Sequence, residues 1–174
     1  FRSDGWKRAL LGPLRAFAGG SAGANVRRVD RDNVVFLPID STRFQSIVRS
    51  GGEVTQGTAE ALAAHLRDPS LAGKSVVIVQ HHPPFVHRSG AVWAWIDGLR
   101  GCSRLLDMLV KHPHVQILHG HLHTVVDRFV GLGKQRVFGA PATVDDEENE
   151  PRIRLYDVGS DSLVPVGTPP PRFA

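Results

Sequence analysis

The sequence has few of the residues that several protein classes require. Cys102 is the single cysteine, so no disulfide can form within the chain and a zinc site built on cysteines is excluded. No apolar run approaches the roughly 20 residues that a membrane-spanning helix needs, and we expect no membrane span. The phosphate loop G-x-x-x-x-G-K-[ST] is also missing. A disulfide-stabilised module and a P-loop nucleotidase are therefore not predicted.

The charge of the chain is modest and dispersed. Lysine and arginine number 21 against 17 aspartate and glutamate residues, which gives a formal net charge of +4. The arginines form no basic stripe, whereas a dedicated nucleic-acid binder usually concentrates its positive charge. We therefore do not expect nucleic acid as a partner. With 174 residues and 41% hydrophobic side chains, the chain has enough apolar surface for the core of one domain.

The order of the apolar segments predicts a layered α/β domain. The continuous β-branched run at 76–79 is typical of a strand that is covered on both faces. Thr55 is expected to cap the helix that follows it. The predicted elements are strands at 34–39, 76–79 and 115–118, and helices at 6–17 (interrupted at Gly12-Pro13), 56–66 and 103–111.

After Thr124 the pattern changes to short strands joined by turns. We expect these strands to form an antiparallel run that completes a mixed β-sheet with flanking helices. The segment 85–98 is long enough to form a loop over a site, with one of Trp93 and Trp95 packed inward and the other exposed. Residues 1–168 are assigned to the domain and residues 169–174 to a frayed tail. The late strands are predicted at 125–130, 136–138, 152–158 and 163–166.

Two histidine-containing strings follow the predicted strands, HHPP at 81–84 and GHLH at 120–123. Neighbouring strands would open their loops at the same edge of the sheet, so both strings could converge on one site. His121 and His123 are two residues apart in what we expect to be extended chain, with their side chains on the same face. The glycine before them is expected to permit positive φ or a close approach. Because neutral imidazole is a common metal ligand, His81, His121 and His123 are the predicted ligands.

The other candidate residues at these strand ends are given different roles. His82 should face away from its neighbour on an extended turn, and two other roles stay open for it: to hold a metal ligand in place or to contact a bound phosphate. We expect His87 not to contact substrate and His119 to pack at its strand end. Asp40 is expected to bond into the turn after its strand, and Asp127 to lie on a hairpin face.

Together, the two strings resemble the last two metal-binding motifs of the calcineurin-like metallophosphoesterases. The string LPIDS at 37–41, the helix at 55–66 and the late strands are also similar to the second half of that family, particularly its bacterial cyclic-nucleotide phosphodiesterase-like branch. The resemblance covers 33–158 and implies the C-terminal half of a metallophosphoesterase-type β-sandwich. It further implies that His81 and His121 bind one metal ion and His123 a second, with a bridging hydroxide that attacks a phosphate ester. The two divalent or trivalent ions would be manganese, iron, zinc or nickel.

The D-x-H, G-D-x-x-D and G-N-H-[DE] segments of that family do not occur in these 174 residues. In the family they supply the bridging aspartate, an asparagine ligand and the proposed acid histidine. We therefore expect a fragment of a longer cytoplasmic enzyme, with no catalytic residue in this chain and the acid histidine upstream of Phe1. The expected partners are the missing N-terminal half and a phosphate-ester substrate. Alone, this half is expected to be inactive and to self-associate through exposed sheet surface.

Two other functions stay open. A mononuclear zinc hydrolase could use His81, His121 and His123 with water as the fourth ligand, and it would not need the missing carboxylates. A degenerate binding or structural module could retain the histidines without a working centre. The number of bound metal ions separates the first alternative from the dimetal centre, and the activity of the full-length protein separates the second.

Overall fold

The computed structural model describes residues 26–42, 49–141 and 154–167. The helix predicted at 6–17, part of the strand predicted at 152–158 and the tail predicted at 169–174 lie outside these residues. The described residues form three α-helices, which are α1 (Gln56–Leu66), α2 (Ala91–Asp97) and α3 (Cys102–Leu109), and a 3-10 helix at Pro69–Leu71. The strands are β1 (Val29–Arg31), β2 (Val34–Pro38), β3 (Gly52–Glu53), β4 (Ser75–Gln80), β5 (Leu99–Arg100), β6 (Gln116–His119), β7 (Val126–Val130), β8 (Gln135–Gly139), β9 (Tyr156–Val158) and β10 (Leu163–Pro165).

A six-stranded mixed sheet forms the centre of the domain. Its strand order is β1-β2-β4-β6-β8-β7. The four inner strands are parallel to one another, and the edge strands β1 and β7 pair antiparallel with their neighbours. The predicted α/β class with a mixed sheet is confirmed. In the pairing of β4 with β6, Gln80 lies opposite His119, so the segments that follow these strands leave the sheet at the same edge.

Both faces of the inner strands are covered, as the β-branched run at 76–79 predicts. In β4, Val76 and Ile78 point into the larger core, to which α1 and α3 contribute. Val77 points to the opposite face, into a smaller core with Phe138 of β8 and Leu163 of β10. Because successive side chains of a strand point to opposite faces, a strand with two covered faces is apolar throughout.

The first helix forms at the predicted residues, 56–66. Thr55 has an extended backbone, and its side-chain oxygen accepts a hydrogen bond from the backbone N–H of Thr58, so it is the N-cap as predicted. Helix α3 also forms. Compared with the predicted range of 103–111, it begins one residue earlier, at Cys102, and ends two residues earlier, at Leu109. Within the described part of the chain, none of the helices has the length and apolar character needed to cross a membrane.

The later part of the chain differs from the prediction in two ways. Strand β8 pairs parallel with β6, and β9 and β10 form a separate two-stranded hairpin, so the late strands do not complete the central sheet as one antiparallel run. The segment 85–98 contains helix α2 in addition to loop. On this helix Trp93 and Trp95 are both exposed, at 43% and 50%, so the predicted inward packing of one of them is wrong. Residues two apart share a face in extended chain, so their spacing gives no reason for only one of the two tryptophans to pack inward.

We expect Thr55→Ala to destabilise the domain. Loss of the hydroxyl removes the acceptor of the Thr58 N–H and should lower the free energy of unfolding by about 1 kcal/mol. Urea unfolding followed by circular dichroism measures this change. Thr55→Ser keeps the hydroxyl and is the matched control, which should unfold close to the wild-type midpoint. Equal stability of the two variants would contradict the assigned cap.

Candidate metal centre

The candidate site lies where β4 and β6 end. His81 directly follows β4, and Gly120 directly follows β6. The backbone N–H of Gly120 donates to the carbonyl oxygen of His81 over 3.1 Å, which extends the strand pairing beyond the sheet. On the other side of β4, the parallel strand β2 ends at the same edge and is followed by Ser41. The predicted convergence of the strand ends is therefore confirmed.

His81 and His121 contact each other across this edge. Nε2 of His81 and Nδ1 of His121 are 3.3 Å apart, and the two rings meet at 82°. In a tetrahedral zinc site with zinc–nitrogen bonds of about 2.0–2.1 Å, two ligand nitrogens lie about 3.3 Å apart. The same separation also permits an N–H···N hydrogen bond, in which a proton takes the place of the ion. The distance therefore fits two ligands of one metal ion.

The backbone after β6 is not the extended chain that we predicted. The φ angle is 67° at His121 and 53° at His123, both in the left-handed region, and the N–H of Leu122 donates to the carbonyl oxygen of Gly120 over 2.8 Å. The same-face argument for the two histidines is therefore wrong for this segment. Gly120 itself does not have positive φ, and a Cβ there would meet Nδ1 of His81 at 3.4 Å, an ordinary contact. Positive φ is uncommon outside glycine and concentrates at functional sites.

His82 does not face away from its neighbour, contrary to the prediction. Its ring centroid is 4.9 Å from that of His81 and 4.7 Å from that of His121. Its Nε2 lies 2.6 Å from the carbonyl oxygen of Ser50, which can only accept, so Nε2 carries the proton. Its Nδ1 then accepts from the hydroxyl of Ser41 over 3.0 Å. Both nitrogens of His82 are therefore occupied, and binding of a phosphate or a metal ion by this ring would break one of these bonds.

The hydroxyl of Ser41 joins this network to the strand end. Its oxygen accepts from the backbone N–H groups of His81 and His82 over 3.2 and 3.3 Å while its own proton is donated to the His82 ring. Ser41 is 1% exposed, so these bonds are shielded from water. One donor and two acceptor positions is the full capacity of a hydroxyl. Ser41 and His82 therefore fix the direction in which the HHPP string leaves β4.

Among residues 26–42, 49–141 and 154–167, two groups of three side chains have ligand atoms that lie within 4.8 Å of one another. The strand-end group consists of His81, His82 and His121, and the loop group consists of His87, Asp97 and His121. His123 is exposed and belongs to neither group, although it is close enough to His81 to influence its charge. Metal ligation by His123 therefore stays a prediction.

The loop group is a feature that the sequence analysis does not anticipate. Nε2 of His87 lies 3.2 Å from Oδ2 of Asp97, and the two side chains are only 13% and 12% exposed. The centroid of the His87 ring is 6.0 Å from that of His121. Asp97 is the last residue of α2. No sequence pattern indicates Asp97, because the helix that delivers it lies in a segment expected to be loop.

His81, His82 and His121 are held as neutral imidazoles. The pKa of His121 is lowered to about 4, mainly by burial and then by the neighbouring histidines. Burial also lowers the pKa of His81, with a smaller contribution from His123, and the pKa of His82, where the bond to Ser50 acts in the opposite direction. Metal binding requires deprotonated imidazole. The lone pairs of these rings are therefore not blocked by protons at neutral pH.

Three other predictions for this part of the chain are confirmed. Asp40 bonds into its own turn by accepting from the backbone N–H and the hydroxyl of Thr42. Asp127 lies on the β7–β8 hairpin, where it pairs with Arg136 over 3.1 Å. His119 is packed at the end of β6 and is 5% exposed. The carboxylate of Asp40 is therefore bonded within the turn after β2, and that of Asp127 within the β7–β8 hairpin.

We expect Gly52→Ala to disturb the site and destabilise the domain. A Cβ at Gly52 would lie 2.4 Å from Nδ1 of His82 and 2.6 Å from the carbonyl oxygen of Ser41, so the ring must move. Overpacking of this kind costs about 1–3 kcal/mol of unfolding free energy. Gly120→Ala is the matched control, because its Cβ would make only an ordinary contact with His81. Thermal unfolding measures both variants, and equal losses would contradict the tight packing at Gly52.

We also expect acid to destabilise the domain through the histidines whose pKa values are lowered in the folded protein. The pKa of His121 is lowered from 6.5 to about 4, and the pKa values of His81, His82 and His119 are lowered too. Between these pH values the unfolded chain binds more protons than the folded protein, so the free energy of unfolding falls as the pH falls. Urea unfolding at about pH 7 and about pH 5, with a chelator present, measures this fall.

Replacement of one titrating group provides the control for this pH dependence. His121→Gln should reduce the loss of stability between the two pH values, since one of the groups that take up protons on unfolding is removed. His114→Gln, which removes an exposed histidine in the connection before β6, is the comparison variant, and it should reduce the loss less than His121→Gln does. A stability that does not depend on pH over this range would show that the histidines are not desolvated in the folded state.

Comparisons with known proteins do not identify a family for this chain. No protein-family model matches it, and no curated protein matches it. The function must therefore be inferred from the side chains at the edge where β2, β4 and β6 end.

Proposed function

We propose that this chain forms the histidine-rich part of a metal-dependent phosphoesterase. In this proposal His81 and His121 ligate one metal ion at the edge where β4 and β6 end, and His123 ligates a second ion. Segments that precede Phe1 in a longer protein supply the carboxylate ligands and the acid histidine. The substrate is a phosphate diester or monoester, and the 174-residue chain alone is inactive.

The contact between His81 and His121 carries this proposal. Their nitrogens lie 3.3 Å apart although the residues are 40 positions apart in the sequence. The contact joins the two strings that resemble metal-binding motifs of the calcineurin-like metallophosphoesterases. It also lies beyond the carboxyl ends of parallel strands, where α/β proteins commonly bind ligands. The position and the donor atoms therefore both favour a metal centre.

The arrangement of the sheet is consistent with half of a β-sandwich. One face of the six-stranded sheet packs on α1 and α3, and the opposite face packs on the β9–β10 hairpin through Leu163. In the proposed longer protein, further strands would extend the layer that this hairpin begins. The edge strands β1 and β7, which each pair on one side within the described residues, are where such strands could be added.

The residues of this chain would prepare the centre in two ways. Bound ions would lower the pKa of a coordinated water molecule and neutralise the oxygens of a phosphate ester. Ser41 and Ser50 hold the ring of His82 beside His81 and His121, so the ligands keep a fixed direction. Burial keeps His121 neutral, which leaves its lone pair free for a ligand bond.

Three arginines that stack on the segment between β4 and β5 would suit an anionic substrate. Each guanidinium group lies 4.6 Å from the centroid of an aromatic ring of that segment. Guanidinium groups bind phosphate oxygens through two parallel hydrogen bonds. These arginines could therefore contact a phosphate ester that approaches the metal centre. The pairs are Arg49 with Trp95, Arg88 with Trp93 and Arg128 with Phe85.

A mononuclear zinc hydrolase is the second candidate function. It is favoured by the loop group, whose three ligand atoms lie within 4.8 Å of one another; His123, the third ligand expected for this candidate from the sequence, belongs to neither group. Water would occupy the fourth position of such a site. A single bound ion and hydrolytic activity of the isolated 174-residue chain would support this candidate over the dimetal centre.

Hydrolysis of bis(4-nitrophenyl) phosphate tests the proposed function. We expect no turnover by the 174-residue chain with Mn²⁺ or Zn²⁺, and turnover by the polypeptide extended through the coding sequence that precedes Phe1. In the extended protein, His81→Ala and His121→Ala should each lower kcat/KM by at least about 100-fold, since each removes a metal ligand.

A histidine away from the site provides the control for these variants. His114→Ala removes an exposed imidazole in the connection before β6 and should keep the wild-type kcat/KM. The metal content of each variant is measured after dialysis, so that loss of an ion can be distinguished from loss of turnover. An extended protein that binds two ions but hydrolyses neither diesters nor monoesters would refute the proposal.

A further inference from the structure

We propose that the loop group, His87, Asp97 and His121, is a binding site for one divalent transition-metal ion such as Zn²⁺. The site shares His121 with the strand-end group but takes its other two donors from the segment between β4 and β5. It needs no residue from outside this chain. It also does not depend on whether the protein hydrolyses phosphate esters.

The donors of the loop group are already close together. Nε2 of His87 and Oδ2 of Asp97 are 3.2 Å apart, and a ligand nitrogen of His121 lies within 4.8 Å of both donors. Ligands of a tetrahedral zinc ion lie about 3.3 Å from one another, so only a small movement of the His121 ring is needed to close the triangle. Two imidazoles and one carboxylate, with open positions for water, form a common ligand set of catalytic zinc and non-heme iron sites.

Asp97 supplies a negative charge that the strand-end group lacks. The residue is 8% exposed, and a buried carboxylate is costly unless it is well paired. Its hydrogen-bond partner is the ring of His87, and the guanidinium of Arg88 lies 3.9 Å away. Arg88 is 56% exposed and lies over the ring of Trp93, so its attraction to Asp97 is weakened by solvent. A metal ion bound directly to the carboxylate would compensate the buried charge more effectively.

The strand-end group is the competing site, and its hydrogen bonds disfavour it. Both ring nitrogens of His82 are bonded, to Ser41 and to Ser50, so an ion there would have to break one of these buried bonds. Without His82, the strand-end group retains two neutral imidazoles, those of His81 and His121. In the loop group the bond that must be replaced joins His87 to Asp97, and both partners become ligands. Ion binding therefore leaves no partner of that bond unsatisfied.

A pocket gives access to the loop group. The pocket has a volume of about 90 Å³, and His87 and Asp97 both line it together with Phe85, Trp93 and Cys102. An ion bound by three protein ligands at this wall could keep a water molecule or a small ligand on its open side. Burial raises the pKa of Cys102 to about 11, so this residue stays a thiol at neutral pH in the protein without an added ion.

Titration of the 174-residue chain with Co²⁺ tests this site. Co²⁺ replaces Zn²⁺ in nitrogen and oxygen sites and absorbs visible light when it is four-coordinate. We expect one Co²⁺ per chain, displaced by Zn²⁺, and no near-ultraviolet band from a thiolate ligand. His87→Gln and Asp97→Asn should each weaken binding by at least about tenfold, and His81→Gln should weaken it less than either.

Controls separate ligation from loss of structure. His114→Gln, an exposed histidine, should bind Co²⁺ as the wild type does. Circular dichroism of each variant without metal shows whether it is folded. If Asp97→Asn is unstable, the test depends on His87→Gln, because its side-chain amide can still donate a hydrogen bond to Asp97. Weaker binding by a folded His87→Gln variant supports the site.

The alternative results distinguish this inference from the proposed function. If His87→Gln and Asp97→Asn bind Co²⁺ as the wild type does while His81→Gln does not, the ion is in the strand-end group and the loop site is wrong, whereas the phosphoesterase proposal stands. A thiolate band would also refute the loop site, because it would make Cys102 a ligand. If the folded chain binds no Co²⁺, the loop site is refuted, and the hydrolysis assay of the extended protein then decides the proposed function alone.

Discussion

The site depends on the parallel pairing of β4 with β6. This pairing places Gln80 opposite His119, and the bond from the N–H of Gly120 to the carbonyl of His81 continues it by one residue. A shift of this register by one residue would displace His81 relative to Gly120 by about 3.3 Å along the strands. The register of the two strands therefore determines where His81 and His121 meet.

A second layer of polar contacts then sets the direction of the histidines. Ser41 follows β2, and its hydroxyl is bonded to His82 and to the backbone at the end of β4, so two neighbouring parallel strands contribute to one network. Gly52 allows this network to form, because any side chain there would occupy the space of the His82 ring. His82, the neighbour of the predicted ligand His81, therefore supports the site, because its two ring nitrogens are bonded to Ser41 and Ser50.

Periodicity and strand order made much of the fold and part of the site predictable. The buried strands, the helix after Thr55 and the shared edge followed from apolar patterning and parallel topology, which are properties of short segments. The left-handed backbone at His121 and the placement of Asp97 could not be predicted in this way. The first depends on how the turn closes against β4, and the second on a short helix in a segment without apolar periodicity. Both are set by tertiary contacts that no local pattern records.

The shared position of His121 links the two candidate groups. Its ring contacts the rings of His81, His82 and His87, and burial keeps it neutral, so it can donate a lone pair to one side or the other. An ion bound with Asp97 draws on the only carboxylate in either group, whereas an ion bound with His81 needs charge from elsewhere. If segments upstream of Phe1 bring carboxylates to the strand-end group, the balance between the two positions shifts towards His81. The location of the metal ion would then report whether the rest of the proposed enzyme is present.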